Sequence, residues 1–173
     1  MKIFIIGHRS VGKTTVGKII AKKLKIKFID FDSVVSKKLG NLRTYGKKYG
    51  SEKYRTEERK ILMNFLKRTP SKIVVSLGGG TVASQYAEIS KANTKDVSKI
   101  GTFVYLIPSK SQKETIDTIH ERELRRKGDK NKEETIKLVK LRTPVFNKIK
   151  SIKILTARRK VSEITEDILK KLK

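Results

Sequence analysis

The segment from residue 7 to residue 14 has the residue types and spacing of a phosphate-binding site. It reads Gly-His-Arg-Ser-Val-Gly-Lys-Thr and fits the pattern G-x-x-x-x-G-K-[ST] throughout. In such a segment Gly7 and Gly12 allow the backbone to wrap tightly, so that successive N–H groups point at one anion. Lys13 adds a positive charge for the β- and γ-phosphates of a nucleotide, and the Thr14 hydroxyl can ligate Mg²⁺. The sequence therefore predicts a phosphate-binding loop, called the P-loop below.

The elements around the P-loop support this interpretation. Lys2–Ile6 is a short apolar run of the kind found in buried parallel strands. Apolar residues at helical spacing then predict a helix from about Thr14 to Lys25, and Ile26–Ile29 predicts a second strand. Strand, loop, helix and strand in this order form a βαβ unit, whose crossover is expected to be right-handed.

Further apolar runs repeat this pattern along the chain. Ile73–Leu77, Thr102–Ile107 and Ile152–Leu155 are predicted strands, and amphipathic helices separate them. Five strands that alternate with helices indicate a three-layer α/β fold with a parallel sheet. The 173 residues suit a single domain that spans residues 1–173.

Two carboxylates follow the second predicted strand. Asp30 and Asp32 are two residues apart, so a continuing strand would place both side chains on one face at its carboxyl end. One could help to hold Mg²⁺, and the other could orient or deprotonate an acceptor hydroxyl. Alternatively, Asp32 only caps the next helix.

Residues suited to an anionic acceptor lie on three later segments. Arg55 and Glu58 share one helix face, so Glu58 can fix the guanidinium. Gly78–Gly80 follow a strand, where bare backbone can approach a ligand closely. Arg142 could join Arg55 in binding one carboxylate, because a guanidinium matches a carboxylate with two parallel hydrogen bonds.

Residues 121–134 break the regular pattern. They contain one large apolar residue, a glycine and many charges, which predicts a mobile loop that packs no face into the core. This segment is either an ordinary surface loop or a lid that closes over a nucleotide.

The composition limits the remaining possibilities. Lys and Arg number 43 against 17 Asp and Glu, a net charge of +26, and 32 of the cations are lysine. We interpret most of this excess as solvated surface, and we expect no specific nucleic-acid partner. The chain has no Cys and no apolar run long enough for a membrane span, so we expect a cytoplasmic monomer without membrane attachment.

Taken in order, these motifs resemble those of shikimate kinases. That family shows a P-loop, a D-x-D pair at the second strand, F-R-x-x-E, G-G-G and an arginine followed by x-P-x-Y. The chain has residues 7–14, Asp30 and Asp32, Tyr54-Arg55 with Glu58, Gly78–Gly80 and, at residues 142–146, Arg-Thr-Pro-Val-Phe. The resemblance covers essentially the whole chain.

The resemblance implies a nucleoside-monophosphate-kinase-like fold with strand order 2-3-1-4-5, a substrate-binding region at about residues 32–60 and a lid at about 121–134. It implies transfer of phosphate from ATP, with Mg²⁺, to shikimate, a step toward the aromatic amino acids. The implied catalytic residues are Lys13, Asp32 and Arg122, and the implied metal-binding residues are Thr14 and Asp30.

The resemblance also implies two binding sets. Asp32 would contact the acceptor hydroxyl, Glu58 would brace Arg55, Arg159 would lie near the adenine, and Arg122 would be the lid arginine. The implied ATP-binding residues are Gly7, Ser10, Val11, Gly12, Lys13, Thr14, Thr15, Arg122 and Arg159. The implied substrate-binding residues are Asp32, Arg55, Glu58, Gly78, Gly79, Gly80 and Arg142.

The chain departs from the family pattern at three places. Ser10 stands where the family's P-loop has its middle glycine, with Val11 after it. The lid reads Arg-Glu-Leu-Arg from Arg122, where family lids often read R-P-L-L. Ile116 and Asp117 stand where the family commonly has an arginine near the adenine.

Two other functions remain open on the sequence. The first is kinase activity on a different hydroxy acid, such as gluconate. The second is RNA or ribosome binding by a basic P-loop protein without kinase activity. The net charge favours the second, and the complete set of Lys13, the two aspartates and the two arginines argues against it.

Overall fold

The computed structural model describes residues 1–127 and 131–172, without the side chain of Lys127. Its strands form one parallel sheet in the order β2-β3-β1-β4-β5, as predicted. The strands are β1 (Lys2–Ile6), β2 (Lys27–Asp30), β3 (Ile73–Ser76), β4 (Thr102–Ile107) and β5 (Ile152–Leu155).

Helices cover both faces of the sheet, which confirms the three-layer α/β class. The helices of the described residues are α1 (Lys13–Leu24), α2 (Phe31–Leu39), α3 (Leu42–Tyr49), α4 (Ser51–Arg68), α5 (Gly79–Val82), α6 (Ala87–Ser98), α7 (Gln112–Lys127), α8 (Lys132–Lys148) and α9 (Val161–Lys171). Among the described residues, none of these helices is long and apolar enough to cross a membrane.

The core has two halves because successive strand residues point to opposite faces of the sheet. Phe4 and Ile6 of β1 pack into one half, which also holds Phe31, Leu62 and Phe146. Ile3 and Ile5 pack into the other half, mainly against α1, α7, α8 and α9. This double burial explains why the strands are continuous apolar runs.

The two aspartates do not share a strand face, contrary to the prediction. Strand β2 ends at Asp30, whose Oδ1 accepts a hydrogen bond from the Asp32 backbone N–H at 3.1 Å. Asp30 is therefore the N-cap of α2, and Asp32 lies in the first helical turn. The Asp30 cap starts a helix at this point, whereas the prediction assumed that the strand continued to Asp32.

Residues 121–127 are helical, so their prediction as a loop was wrong. They are the last two turns of α7, and residues 132–134 begin α8. Glu, Leu, Arg and Lys all favour helices, and Glu123 is 4% exposed on the same face as Thr115 and Ile119. Residues 128–130 of the predicted lid lie outside the described residues, and lid movement remains a prediction.

Candidate active site

The P-loop connects β1 to α1 and wraps around Lys13. Gly7 has φ +142° and Gly12 has φ +94°, and a Cβ at Gly7 would lie 2.8 Å from the Leu106 carbonyl oxygen. Lys13 Nζ donates to the carbonyl oxygens of Gly7 at 3.1 Å and His8 at 2.7 Å. Helix α1 begins at Lys13, so its positive dipole end faces the loop as predicted.

A cavity of about 1000 Å³ opens beside the P-loop. Its wall contains most of the predicted ATP- and metal-binding residues, and Asp32 and Gly79 from the substrate set. The wall is formed by Arg9, Ser10, Gly12, Lys13, Thr14, Thr15, Asp30, Asp32, Ser33, Ser36, Leu42, Ser76, Gly79, Arg122, Glu123, Arg125 and Arg126. Five cations against three carboxylates give the cavity a positive potential that suits a polyphosphate.

Burial changes the pKa values of two cavity residues, Lys13 and Asp32. Removal from water lowers the pKa of Lys13 to about 8, although Asp32 and Asp30 partly oppose this shift. Removal from water and the negative charge of Asp30 raise the pKa of Asp32, against the nearby Lys13. A carboxylate with a raised pKa is a stronger base than an ordinary aspartate.

Thr14 and Asp30 place a hydroxyl oxygen and a carboxylate, both groups that could ligate a metal ion, side by side at the cavity wall. Thr14 Oγ1 donates to Asp30 Oδ2 at 2.9 Å. Among the described residues no group of three His, Cys, Asp or Glu side chains could hold a metal. A hydroxyl and one carboxylate suit Mg²⁺, because this ion keeps several waters and takes its other ligands from phosphates.

The three consecutive glycines lie against three charged side chains of the predicted substrate set. A Cβ at Gly78 would lie 2.5 Å from Asp32 Oδ1, and one at Gly79 would lie 3.1 Å from Arg142 Nη1. A Cβ at Gly80 would overlap the Arg55 guanidinium. Each glycine therefore leaves room for one charged group. All three charged groups lie close to the N-terminal end of the short helix α5.

Arg55 is held by a buried carboxylate, as predicted. Arg55 Nη1 lies 2.6 Å from Glu58 Oε2, and the Glu58 side chain is 1% exposed. Glu58 Oε1 also accepts hydrogen bonds from Thr81 at 3.0 Å and from Tyr54 at 3.4 Å. Burial, followed by the charge of Glu58, raises the pKa of Tyr54, so its phenol stays protonated.

Arg142 is a cation without an acidic contact partner among the described residues. Its Nε is buried and makes no hydrogen bond there. Burial, followed by repulsion from Arg55 and Arg9, lowers the pKa of Arg142 to about 10. Two nearby guanidinium groups that repel each other form a site that an anion would stabilise.

Three further residues that were predicted to bind ATP differ in how they lie relative to the cavity. Arg122 reaches the P-loop, where its Nη1 donates to the Ser10 carbonyl oxygen at 3.3 Å. The Val11 side chain is buried in the core, so only its backbone can serve a ligand. Arg159 does not line the cavity wall, and it pairs with Asp167 at 3.1 Å.

Sequence reasoning missed His8, Arg9 and Glu123. His8 is 2% exposed, and its Nε2 lies 3.0 Å from Thr143 Oγ1. Burial, together with Arg142 and Lys13, lowers the pKa of His8 to about 3, so it stays neutral. Continuing the helical spacing from Thr115 would have placed Glu123 on the buried face of α7, but no sequence signal predicted the contacts of His8 and Arg9.

Comparison with known proteins identifies relatives over almost the whole chain. The shikimate kinase family model matches residues 9–173. A shikimate kinase of Enterococcus faecalis is 31% identical over 175 residues, which cover 99% of this chain and 98% of the relative.

Solved structures with a similar fold include kinases for two kinds of acceptor. A shikimate kinase from Acinetobacter baumannii in complex with shikimate has a TM-score of 0.80 at 25% identity, with 99% of this chain and 92% of that chain covered. A gluconokinase from Sinorhizobium meliloti has a TM-score of 0.64 at 18% identity, with 99% and 90% covered. The second likeness concerns the fold alone.

Proposed function

The chain belongs to the shikimate kinase family, and we propose that it transfers the γ-phosphoryl group of ATP to a hydroxyl of shikimate. The observation that carries this proposal is the packing of Asp32, Arg142 and Arg55 against Gly78, Gly79 and Gly80. It brings a base and two guanidinium groups together, and Asp32 and Gly79 also line the cationic cavity.

We assign the ATP phosphates to the P-loop and the cations around it. The backbone of residues 7–14 and Lys13 bind the β- and γ-phosphates, with Thr15 at the same wall. Thr14 and Asp30 would hold Mg²⁺, which neutralises phosphate charge when bound. Arg122 supplies a further positive charge where negative charge develops on the transferring group. Arg159 is assigned to the adenine side only through the family resemblance.

We assign the acceptor to the other side of Asp32. Arg55 and Arg142 bind its carboxylate, and Glu58 keeps the Arg55 guanidinium in place. Asp32 holds the acceptor hydroxyl and accepts its proton, in keeping with its raised pKa. Catalysis then rests mainly on positioning and on electrostatic stabilisation, as is usual for phosphoryl transfer.

A coupled assay of ADP formation tests the proposal. We expect ADP formation to require shikimate and Mg²⁺, and the product to be a phosphate ester of shikimate. Gluconate belongs in a parallel reaction because the gluconokinase from Sinorhizobium meliloti shares the fold. Faster turnover with gluconate than with shikimate would assign a different acceptor, and no acceptor-dependent turnover would contradict the kinase assignment to this site.

A further inference from the structure

The middle of the P-loop makes a set of contacts with α7 and α8 that the phosphate-binding pattern does not require. Arg9 Nε lies 2.7 Å from Glu123 Oε2 of α7, with side chains that are 23% and 5% exposed. Arg9 Nη1 lies 3.2 Å from Glu134 Oε1, and Nη2 donates to Thr135 Oγ1 at 2.9 Å. One guanidinium therefore joins the P-loop to both helices that flank residues 128–130.

Glu123 makes a second contact with the P-loop. Its Oε1 accepts a hydrogen bond from Ser10 Oγ at 3.2 Å. On either side of it in α7, Arg122 Nη1 donates to the Ser10 carbonyl oxygen at 3.3 Å, and Arg126 Nη1 approaches Ser10 Oγ at 3.5 Å. The Arg9–Glu123 pair thus fixes the turn of α7 that carries Arg122 and Arg126, two of the three arginines that α7 contributes to the cavity wall.

A buried carboxylate in a phosphate cavity has two opposing effects. Its negative charge repels the phosphates, which would weaken ATP binding. Its contact with Arg9 holds α7 beside the P-loop. This would strengthen ATP binding, because Arg122 would already lie at the phosphate cavity before ATP binds. At 2.7 Å Arg9 neutralises much of the repulsion, so the second effect should be the larger.

We propose that Glu123 and Arg9 are positioning residues that hold α7 against the P-loop, so that Arg122 lies at the phosphate cavity before ATP binds. This inference rests on the proposed assignment of the ATP phosphates to that cavity. Arg9 lines the cavity wall, but in this scheme its guanidinium acts through Glu123 and α8 and not through direct contact with ATP.

A double-mutant cycle with Glu123→Gln and Arg9→Met tests the proposal. We expect Glu123→Gln to raise the KM for ATP about tenfold, the factor that corresponds to about 1.4 kcal/mol, and to leave the KM for shikimate nearly unchanged. Arg9→Met should have a similar effect, and the double variant should resemble the single variants. A lower KM for ATP in Glu123→Gln would overturn the proposal, since repulsion would then be the larger effect.

The cycle also separates positioning from direct binding. If Arg9 contacted ATP, Arg9→Met would weaken ATP binding further in the Glu123→Gln background, and multiplied effects of this kind would overturn the proposal. Hydrogen exchange of residues 119–126 without ligand gives a readout without turnover, and we expect faster exchange in both single variants. Unchanged exchange in both would also overturn it.

Asp96→Asn provides a matched control. Asp96 lies on α6 and pairs with Arg59 of α4 at 2.9 Å, so this variant also removes a carboxylate that joins two helices. Neither residue lines the phosphate cavity, and we expect the KM for ATP of this variant to stay within about twofold of the parent value. A parent protein that fails to bind ATP would refute the proposed function, whereas variants that bind like a binding-competent parent would refute only this inference.

Discussion

Gly80→Ala tests whether the missing side chain at Gly80 provides the space that the Arg55 guanidinium occupies. In Gly80→Ala, the new Cβ would overlap the Arg55 guanidinium, which is held by the buried carboxylate of Glu58. The Arg55 side chain is flexible, so we expect it to move and the backbone of α5 to stay. The moved guanidinium would lose its 2.6 Å contact with Glu58 and its position at the acceptor site.

The magnitude follows from the interaction that is lost. A hydrogen bond to a charged group contributes about 1.5–3 kcal/mol, which corresponds to about a 10- to 150-fold rise in the KM for shikimate. The KM for ATP should change little, because Gly80 and Arg55 are not part of the wall of the phosphate cavity. Stability should also fall, since the buried carboxylate of Glu58 would lose its cationic partner and keep the uncharged Thr81 and Tyr54.

Steady-state kinetics with each substrate varied in turn measures both effects, and urea unfolding measures stability. Gly46→Ala is the matched control for the effect of a glycine-to-alanine change on stability, because Gly46 lies inside α3 and a Cβ there would meet nothing within 4 Å. We expect the control to be neutral or slightly stabilising. In an Arg55→Ala background, Gly80→Ala should cause no further loss, since no guanidinium remains to be displaced. A parent-like KM for shikimate in Gly80→Ala would refute the reasoning.

The other predictions concern single residues of the same site. Lys13→Ala should lower turnover by orders of magnitude. In the parent protein the KM for ATP should rise above about pH 8, because burial lowers the pKa of Lys13 to about 8 and its positive charge is lost as the pH rises. Arg142→Lys should weaken shikimate binding by about 1.5–3 kcal/mol with little effect on ATP, because lysine keeps the charge and loses the two-pronged geometry; unchanged shikimate affinity by calorimetry would place the carboxylate elsewhere. Arg122→Ala should lower kcat more than Arg126→Ala, because Arg122 makes the shorter contact with the P-loop; the reverse order would assign the working arginine to Arg126. Asp32→Asn should abolish turnover and raise the melting temperature at pH 7. The raised pKa means that the folded protein destabilises ionised Asp32, so this gain should disappear below about pH 4, and a lower melting temperature at pH 7 would contradict the sign.

The sequence predicted the sheet and the P-loop because both depend on short-range patterns. Apolar runs of four to six residues define β1 to β5, and the spacing of two glycines, a lysine and a threonine defines the loop. The resemblance added the strand order, which the structure confirms, whereas Arg122 as the lid arginine remains a prediction. These features could be predicted because their signals lie close together in the sequence or match a known family pattern.

The remaining features depend on contacts between distant segments. The pairing of Gly78–Gly80 with Asp32, Arg142 and Arg55 joins four parts of the chain, and no local spacing predicts which glycine faces which charge. The end of α7 was missed for a related reason. Its charges resemble a solvated loop until Arg9, more than 100 residues earlier, is known to neutralise Glu123.

The two departures in the P-loop and the lid are linked in space. Ser10 occupies the position of the family's middle glycine with φ 58°, a left-handed conformation that costs a residue other than glycine about 1–2 kcal/mol. Its carbonyl oxygen accepts a hydrogen bond from Arg122, and its hydroxyl donates to Glu123, the residue at the family's usual lid proline. These contacts can offset the backbone strain only while α7 lies against the loop. Replacing Ser10 with glycine would therefore remove the strain together with the two contacts that the hydroxyl makes with Glu123 and Arg126 of α7. The two departures are therefore better understood as one feature of this chain than as separate defects.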